Sequence, residues 1–273
     1  VASYRGPVSR DSIIRRVELG TAELVPDPYR PGGWTVLVDG VAQSYVNVRR
    51  PAHLEFEYVR RVAAVVAACP SGPLRVLHLG GGGMTIPRYI AHVHPGAQQL
   101  VVERDSKLLA LVLGVLPLPD GAGVRAEAGD ARSAVEGAAD GSYDLVIGDV
   151  YRGALMERST ASTEFVSEVA RVLAPGGFYA VNVTDLPPLA FSRAHAATLL
   201  TEFRDVALLS EPGMMRGKRF GNLVFAAAAA EHGLPAKKLS HFLAADKVPG
   251  RLVRGTGLAG FIGDAEPQAD ASF

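Results

Sequence analysis

Four consecutive glycines, Gly80-Gly81-Gly82-Gly83, follow the apolar run Leu74–Leu79, and acids recur at the ends of the runs after it. Glu103, with Asp105 just beyond, ends the second run, and Gly129-Asp130 follows the third. Asp149 closes Leu145-Val146-Ile147-Gly148, and Asn182 ends the fifth run with Asp185 close behind. A glycine loop lets a ligand approach the backbone, and four glycines carry an entropic cost that a plain turn does not require. Glu103 lies 21 residues past Gly82. A carboxylate there can accept both hydroxyls of a ribose, because it offers two acceptor oxygens. Asp130 can accept from an exocyclic adenine amine. Asp149, partly desolvated at the end of an apolar strand, can orient an amine, hold a cation or take a proton. Each acid taken alone also suits a helix N-cap. The combination points to an adenosine-type nucleotide with a reacting group near Asp149.

Strands and helices alternate around these residues. Strands are expected at Leu74–Leu79, Gln99–Glu103, Val124–Ala126, Leu145–Asp149 and Phe178–Val183, and helices at Thr85–Val93, Ser106–Leu113, Arg132–Glu136, Thr163–Leu173 and Leu189–Glu202. Several strands are continuous apolar runs, as when both sheet faces are covered. The alternation implies an α/β fold with a doubly wound, mostly parallel sheet, whose ligands sit beyond the carboxyl ends of the strands. Ahead of it, Asp39-Gly40 between the runs Trp34–Val38 and Val41–Val48 signals a hairpin. A helix is expected over His53–Ala68, and Val206–Leu209 with Leu223–Ala228 suit an antiparallel pair. The expected organisation is a small N-terminal β unit over 1–52, a Rossmann-like nucleotide-binding domain over 53–230 and a less regular extension over 231–273, with Asp264–Phe273 frayed.

The 273 residues carry 28 Lys+Arg against 28 Asp+Glu, which argues against a dedicated nucleic-acid binder or a polybasic membrane-surface protein. No apolar stretch is long enough to span a bilayer. Arg5, Arg10, Arg15 and Arg16 have no apolar run behind them, unlike a signal peptide. Cys69 is the single cysteine, read as a buried thiol in a reducing compartment, and the expected location is cytoplasmic. His92-x-His94 lacks a third ligand at metal spacing, so no metal is expected. Arg216-Gly217-Lys218-Arg219, the one compact basic cluster, reads as a solvated loop ahead of a contact for an anionic substrate. Tyr45, Tyr58 and Tyr151 suit packing or the wall of an acceptor pocket.

Gly40-Val41-x-Gln43, Leu77-x-x-Gly80-Gly81-Gly82, Val102-Glu103-x-Asp105, Gly129-Asp130-Ala131, Tyr143-Asp144-Leu145-Val146-Ile147-x-Asp149 and Leu173-x-Pro175-Gly176-Gly177 together resemble the spermidine synthases. That family is similar to the class I methyltransferases in its nucleotide-binding domain. The resemblance covers roughly 35–228. It implies that Glu103 holds the ribose, Asp130 the adenine side, Asp149 the reacting amine, and that Gln43 lines the site. It also implies a homodimer.

The departures are specific. Gly83 stands where the family carries an Asp after three glycines, Met84 and Thr85 where two more glycines are usual, and Arg152 where a second acid follows the catalytic one. Phe56-Glu57-Tyr58 replaces the usual Tyr-(His/Gln)-Glu. An acid at position 83 would repel the carboxylate of ordinary S-adenosylmethionine by about 4 kcal/mol at about 4 Å and an effective dielectric of about 20. Gly83 would remove that repulsion and open room, and Arg152 would disfavour a dicationic diamine. The expected function is therefore methyl transfer from S-adenosylmethionine to a small acceptor. Aminopropyl transfer from decarboxylated S-adenosylmethionine and a non-catalytic nucleotide-binding protein are the alternatives. Expected contacts to the acceptor are Glu57, Tyr58, Tyr151 and Arg152, and those to the nucleotide are Gln43, Gly80–Gly83, Glu103, Asp105 and Asp130.

Overall fold

The computed structural model describes residues 11–152, 155–229 and 233–273, and the side chains of residues 152 and 155 lie outside that description. Four antiparallel strands come first: β1 Ile13–Val17, β2 Gly20–Pro26, β3 Gly33–Val38 and β4 Val41–Asn47, in the order β1-β2-β3-β4. Asp39 and Gly40 turn β3 into β4 with φ of 47° and 75°, the two positive values a two-residue hairpin requires.

The main body runs α1 Glu57–Ala68, β5 Arg75–Leu79, α2 Thr85–Val93, β6 Gln98–Glu103, α3 Ser106–Val115, β7 Val124–Ala128, α4 Ala131–Glu136 and β8 Tyr143–Gly148. After the short pair β9 Tyr151–Arg152 and β10 Leu155–Met156 come α5 Thr163–Val172, β11 Leu173–Asp185, α6 Ala190–Glu202, β12 Asp205–Ser210, α7 Pro212–Met215 and β13 Gly221–Ala228. The chain then adds α8 Ala236–Ala245, β14 Arg251–Arg254 and α9 Thr256–Ile262. Eight strands form one sheet in the order β14-β12-β13-β11-β8-β5-β6-β7. Strands β11, β8, β5, β6 and β7 are parallel, while β13 is antiparallel to both β11 and β12, and β14 to β12. The doubly wound sheet with a small N-terminal β unit is thus present.

Alternation along the central strands supplies both layers. Leu77, Leu79, Val146, Val181 and Val183 join the core beneath α4, α5 and α6. Val76, Leu145, Ile147 and Ala180 join the core beneath α1, α2 and α8. The side chain of Cys69 packs in the latter, and burial pushes its thiol up to about 12.

Three expectations are corrected. The first helix begins at Glu57 rather than His53, because the carbonyls of Leu54 and Glu55 turn to the Arg60 guanidinium and are lost to a helical ladder. The segment after residue 232 is regular: α8 buries Leu239 and Leu243, and β14 extends the sheet. The stretch Asp264–Phe273 is docked, not frayed. Asp270 forms a double hydrogen bond with Arg132 at 2.7 and 2.6 Å, and Thr163 N–H donates to the Gln268 carbonyl at 2.8 Å.

Candidate functional site: a cleft at the carboxyl ends of the strands

From β5 the chain winds outward through β6 and β7, then returns to β8 on the other side of β5. That reversal opens a crevice between the carboxyl ends of β5 and β8. A cleft of about 740 Å³ lies there, the size of a small-molecule site. Gln43, Gly80, Gly81, Gly82, Glu103, Asp105, Asp130, Asp149, Glu57, Tyr58 and Tyr151 all line it.

Its geometry starts with the glycine loop. Gly80 has φ of 92°, and a Cβ there would overlap the Asp149 carbonyl oxygen, so only glycine lets the two strand ends meet. The next two amides, of Gly81 and Gly82, donate to Glu103 Oε2 at 2.8 and 3.1 Å. Glu103 Oε1 accepts from Asp105 N–H at 3.0 Å. The Glu103 carboxylate therefore fixes the loop as well as facing the cleft.

Gly83 departs from expectation. It does not line the cleft, its N–H donates to Ser44 Oγ at 2.9 Å, and a Cβ would come within 2.8 Å of Ser44 Cβ and 2.9 Å of Val46 Cγ2. The room expected beside it is filled by β4. Met84 follows with φ of 61° and a fully buried side chain that packs among the β1–β4 sheet and α3. Asp105 is also reassigned. Its carboxylate accepts from Leu108 N–H at the start of α3 and from Leu19 N–H, both at 2.8 Å. Both oxygens are committed to backbone, so Asp105 ties α3 to the N-terminal sheet. Asp130 caps α4 through Oδ1, which accepts from Ser133 N–H at 3.0 Å. The side chain of Arg152 lies outside the described residues.

Asp149 sits just beyond β8, where Oδ1 accepts from Asn182 Nδ2 at 2.8 Å and the Tyr58 hydroxyl approaches it. Removal from water, reinforced by the Glu103 charge, lifts the Asp149 carboxyl to about 6, against the pull of Asn182 and Tyr58. Asn182 Oδ1 in turn accepts from Asn222 Nδ2 at 3.0 Å, and its carbonyl accepts from the Tyr151 hydroxyl at 2.8 Å. Burial and the Asp149 charge push both tyrosine hydroxyls well above their ordinary range, so they stay protonated donors.

Asn182 and Asn222 were not among the candidate contacts. A polar residue at the end of an otherwise apolar β11 was the visible signal for Asn182. Nothing local marks Asn222, which reaches the site only because β13 pairs with β11.

Charge divides along the cleft. On the β5-β6-β7 side stand Glu103, Asp130 and, at the boundary, Asp149, while the neighbouring cation, Arg104, is paired with Glu157 at 3.2 Å. The arrangement can hold a cationic nucleotide on the glycine loop and present an acceptor to Asp149. Among the described residues no group of three His, Cys, Asp or Glu side chains is placed to hold a metal, and no helix is long and apolar enough to cross a membrane.

No protein-family model matches the chain. A crystal structure of a probable spermidine synthase from Corynebacterium glutamicum is similar to it with a TM-score of 0.88 and 30% identity, covering 96% of this chain and 97% of that one. A polyamine aminopropyltransferase of Vibrio vulnificus is 26% identical over 129 residues, which is 46% of this chain and 43% of that protein, so the match spans less than half of that relative. The spermidine synthase of Thermotoga maritima has a TM-score of 0.58 at 12% identity, covering 87% of this chain and 79% of its own. Human methyltransferase-like protein 13 in complex with SAH has a TM-score of 0.56 at 16% identity, covering 79% and 96%. These last two share the fold.

Proposed function

Because this chain belongs to the spermidine synthase-like family, we propose that it is a transferase that moves the aminopropyl group of decarboxylated S-adenosylmethionine to a small amine. The observation that carries this reading is Asp149, a carboxylate lifted to about 6 and held by Asn182 where the two halves of the cleft meet. The amine nitrogen attacks the carbon next to the sulfonium. A C–N bond forms, the C–S bond breaks, and sulfur leaves as a neutral thioether. The attacking nitrogen sheds a proton, and Asp149, more basic than an ordinary carboxylate, orients the amine and receives it. Such proton transfer contributes about 10²–10⁴-fold, and holding the two reactants in line contributes further.

The acids on the nucleotide side support the decarboxylated donor. Its sulfonium and ammonium make it a dication, and Glu103, Asp130 and Asp149 supply the complementary field. The grounds for preferring methyl transfer are weaker in the folded chain, since Gly83 faces Ser44 and Val46 and not the cleft.

The test is to incubate the protein with each donor in turn and a panel of amines, and to identify products by mass spectrometry. Transfer of an aminopropyl group from the decarboxylated donor, with kcat/KM rising through about pH 6 as Asp149 loses its proton, is the expected result. A methylated product, or none with either donor, overturns the reading.

A further inference from the structure

The cleft does not end at Asp149. On the β11-β13 side it continues past Asn182 to Arg219, Phe220 and Asn222, and across from these to Glu55, Glu57 and Lys247. The nucleotide belongs on the opposite side, over the glycine loop, so this half is where the acceptor's far end must lie.

Its charges differ in kind from those near Glu103. Both acids are already met by cations. Glu57 pairs with the buried Arg61 at 3.2 Å and with Arg219 at 3.6 Å, and Glu55 pairs with Lys247 at 3.6 Å and shares a hydrogen bond with His53 at 3.1 Å. Neither leaves an uncompensated carboxylate for a second ammonium. Burial raises the Glu55 carboxyl, but Lys247, His53 and Arg30 together hold it below its ordinary value, so it remains a committed anion.

The two outer cations are held loosely. Arg219 is half exposed, 3.4 Å from Glu211 and 3.6 Å from Glu57, and Lys247 is 55% exposed. Distances this long are poor hydrogen bonds, so an incoming anion can take the same donors at shorter range while Glu57 keeps Arg61 at 3.2 Å and Glu55 keeps its bond to His53 at 3.1 Å. Arg219 belongs to the basic cluster 216–219, whose other members do not line the cleft.

Resting on the aminopropyl-transfer reading, we propose that the acceptor carries a single amine, presented to Asp149, and an anionic group at its other end, received by Arg219 and Lys247. The acceptor is then of the ω-amino acid class, not a diamine. A diamine would set its second ammonium against two cations whose carboxylates are already shared. An ω-amino acid places a carboxylate there and leaves the reacting nitrogen unchanged. Arg219 and Lys247 are thus specificity-determining residues for the acceptor.

The experiment uses the full chain, saturating decarboxylated S-adenosylmethionine and three matched series: diamines, unbranched monoamines and ω-amino acids of three to six carbons. The expected order of kcat/KM is ω-amino acid over monoamine over diamine, each step on the order of tenfold. Arg219→Ala and, separately, Lys247→Ala should lower kcat/KM for the ω-amino acid and raise it for the diamine, freeing Glu57 and Glu55 for an ammonium. Diamines as the best acceptors, or variants that shift all three series equally, overturn the acceptor assignment and leave aminopropyl transfer standing. No product from any series overturns the transfer reading and this inference with it.

Discussion

Replacing Asp149 with Asn should make the protein more stable at neutral pH while abolishing its chemistry. Burial moves this carboxyl from its ordinary 3.8 to about 6. The folded chain therefore holds the proton to about pH 6, whereas the unfolded chain releases it near 4. Between those values the folded state binds more protons, so its stability falls as pH rises and levels off above about 6. At about 1.4 kcal/mol per factor of ten, the loss amounts to about 3 kcal/mol. Because part of Asp149 faces the open cleft, solvent screening makes that figure a ceiling. Asn keeps an oxygen for Asn182 Nδ2 and has no proton to release, so it escapes the penalty. Guanidinium unfolding of both proteins across pH 4–8 reads the difference. The two should have similar stability near pH 4, and the variant should gain up to about 3 kcal/mol by pH 7. Product formation should fall by about 100-fold or more. A stability difference that is independent of pH, or that favours the parent at neutral pH, would refute the claim that Asp149 is ionised at the expense of the fold.

Two glycine substitutions separate the loop's parts. Gly80→Ala should cost about 1–3 kcal/mol from the left-handed backbone alone, and it should also reduce activity at least tenfold, since the new methyl displaces the Asp149 carbonyl; a variant with the parent's denaturation midpoint and rate would show that the two strand ends can separate freely. Gly83→Asp should act on stability, losing about 1–3 kcal/mol as β4 is pushed off the loop, and calorimetry with both donors should show weaker binding without a reversal of preference. A reversal would mean that position 83 does reach the nucleotide.

Much of the central sheet was readable because its strands are buried on both faces and end in glycines and acids. Periodicity and punctuation thus mark β5, β6, β8 and the positions of Glu103, Asp130 and Asp149. What was not readable depends on distant partners. Asp105 has the same local pattern as Asp130, and only Leu19, 86 residues away, decides that its second oxygen is occupied. Gly83 suggests open space until Ser44 fills it across 39 residues. The helix α8 shows little pattern because only Leu239 and Leu243 are buried. Strand β14 is four residues long with an arginine at each end, too short for alternation to register. The 216–219 cluster is basic in any reading, and its approach to Glu57 and Glu211 separates Arg219 from its neighbours.

The strand β4 is bonded to the glycine loop by Gly83 N–H to Ser44 Oγ and to the start of α2, which the loop leads into, by Thr85 Oγ1 to the Tyr45 carbonyl. The front sheet is therefore linked to occupancy of the site. A nucleotide that binds only the assembled loop stabilises β4 against opening by RT ln(1 + [L]/Kd), about 2.7 kcal/mol at a hundredfold excess over Kd. The reciprocal holds as well: whatever loosens the front hairpin weakens nucleotide binding by the same factor. Amide exchange in β3 and β4 then becomes a readout of site occupancy that requires no turnover and no knowledge of the acceptor.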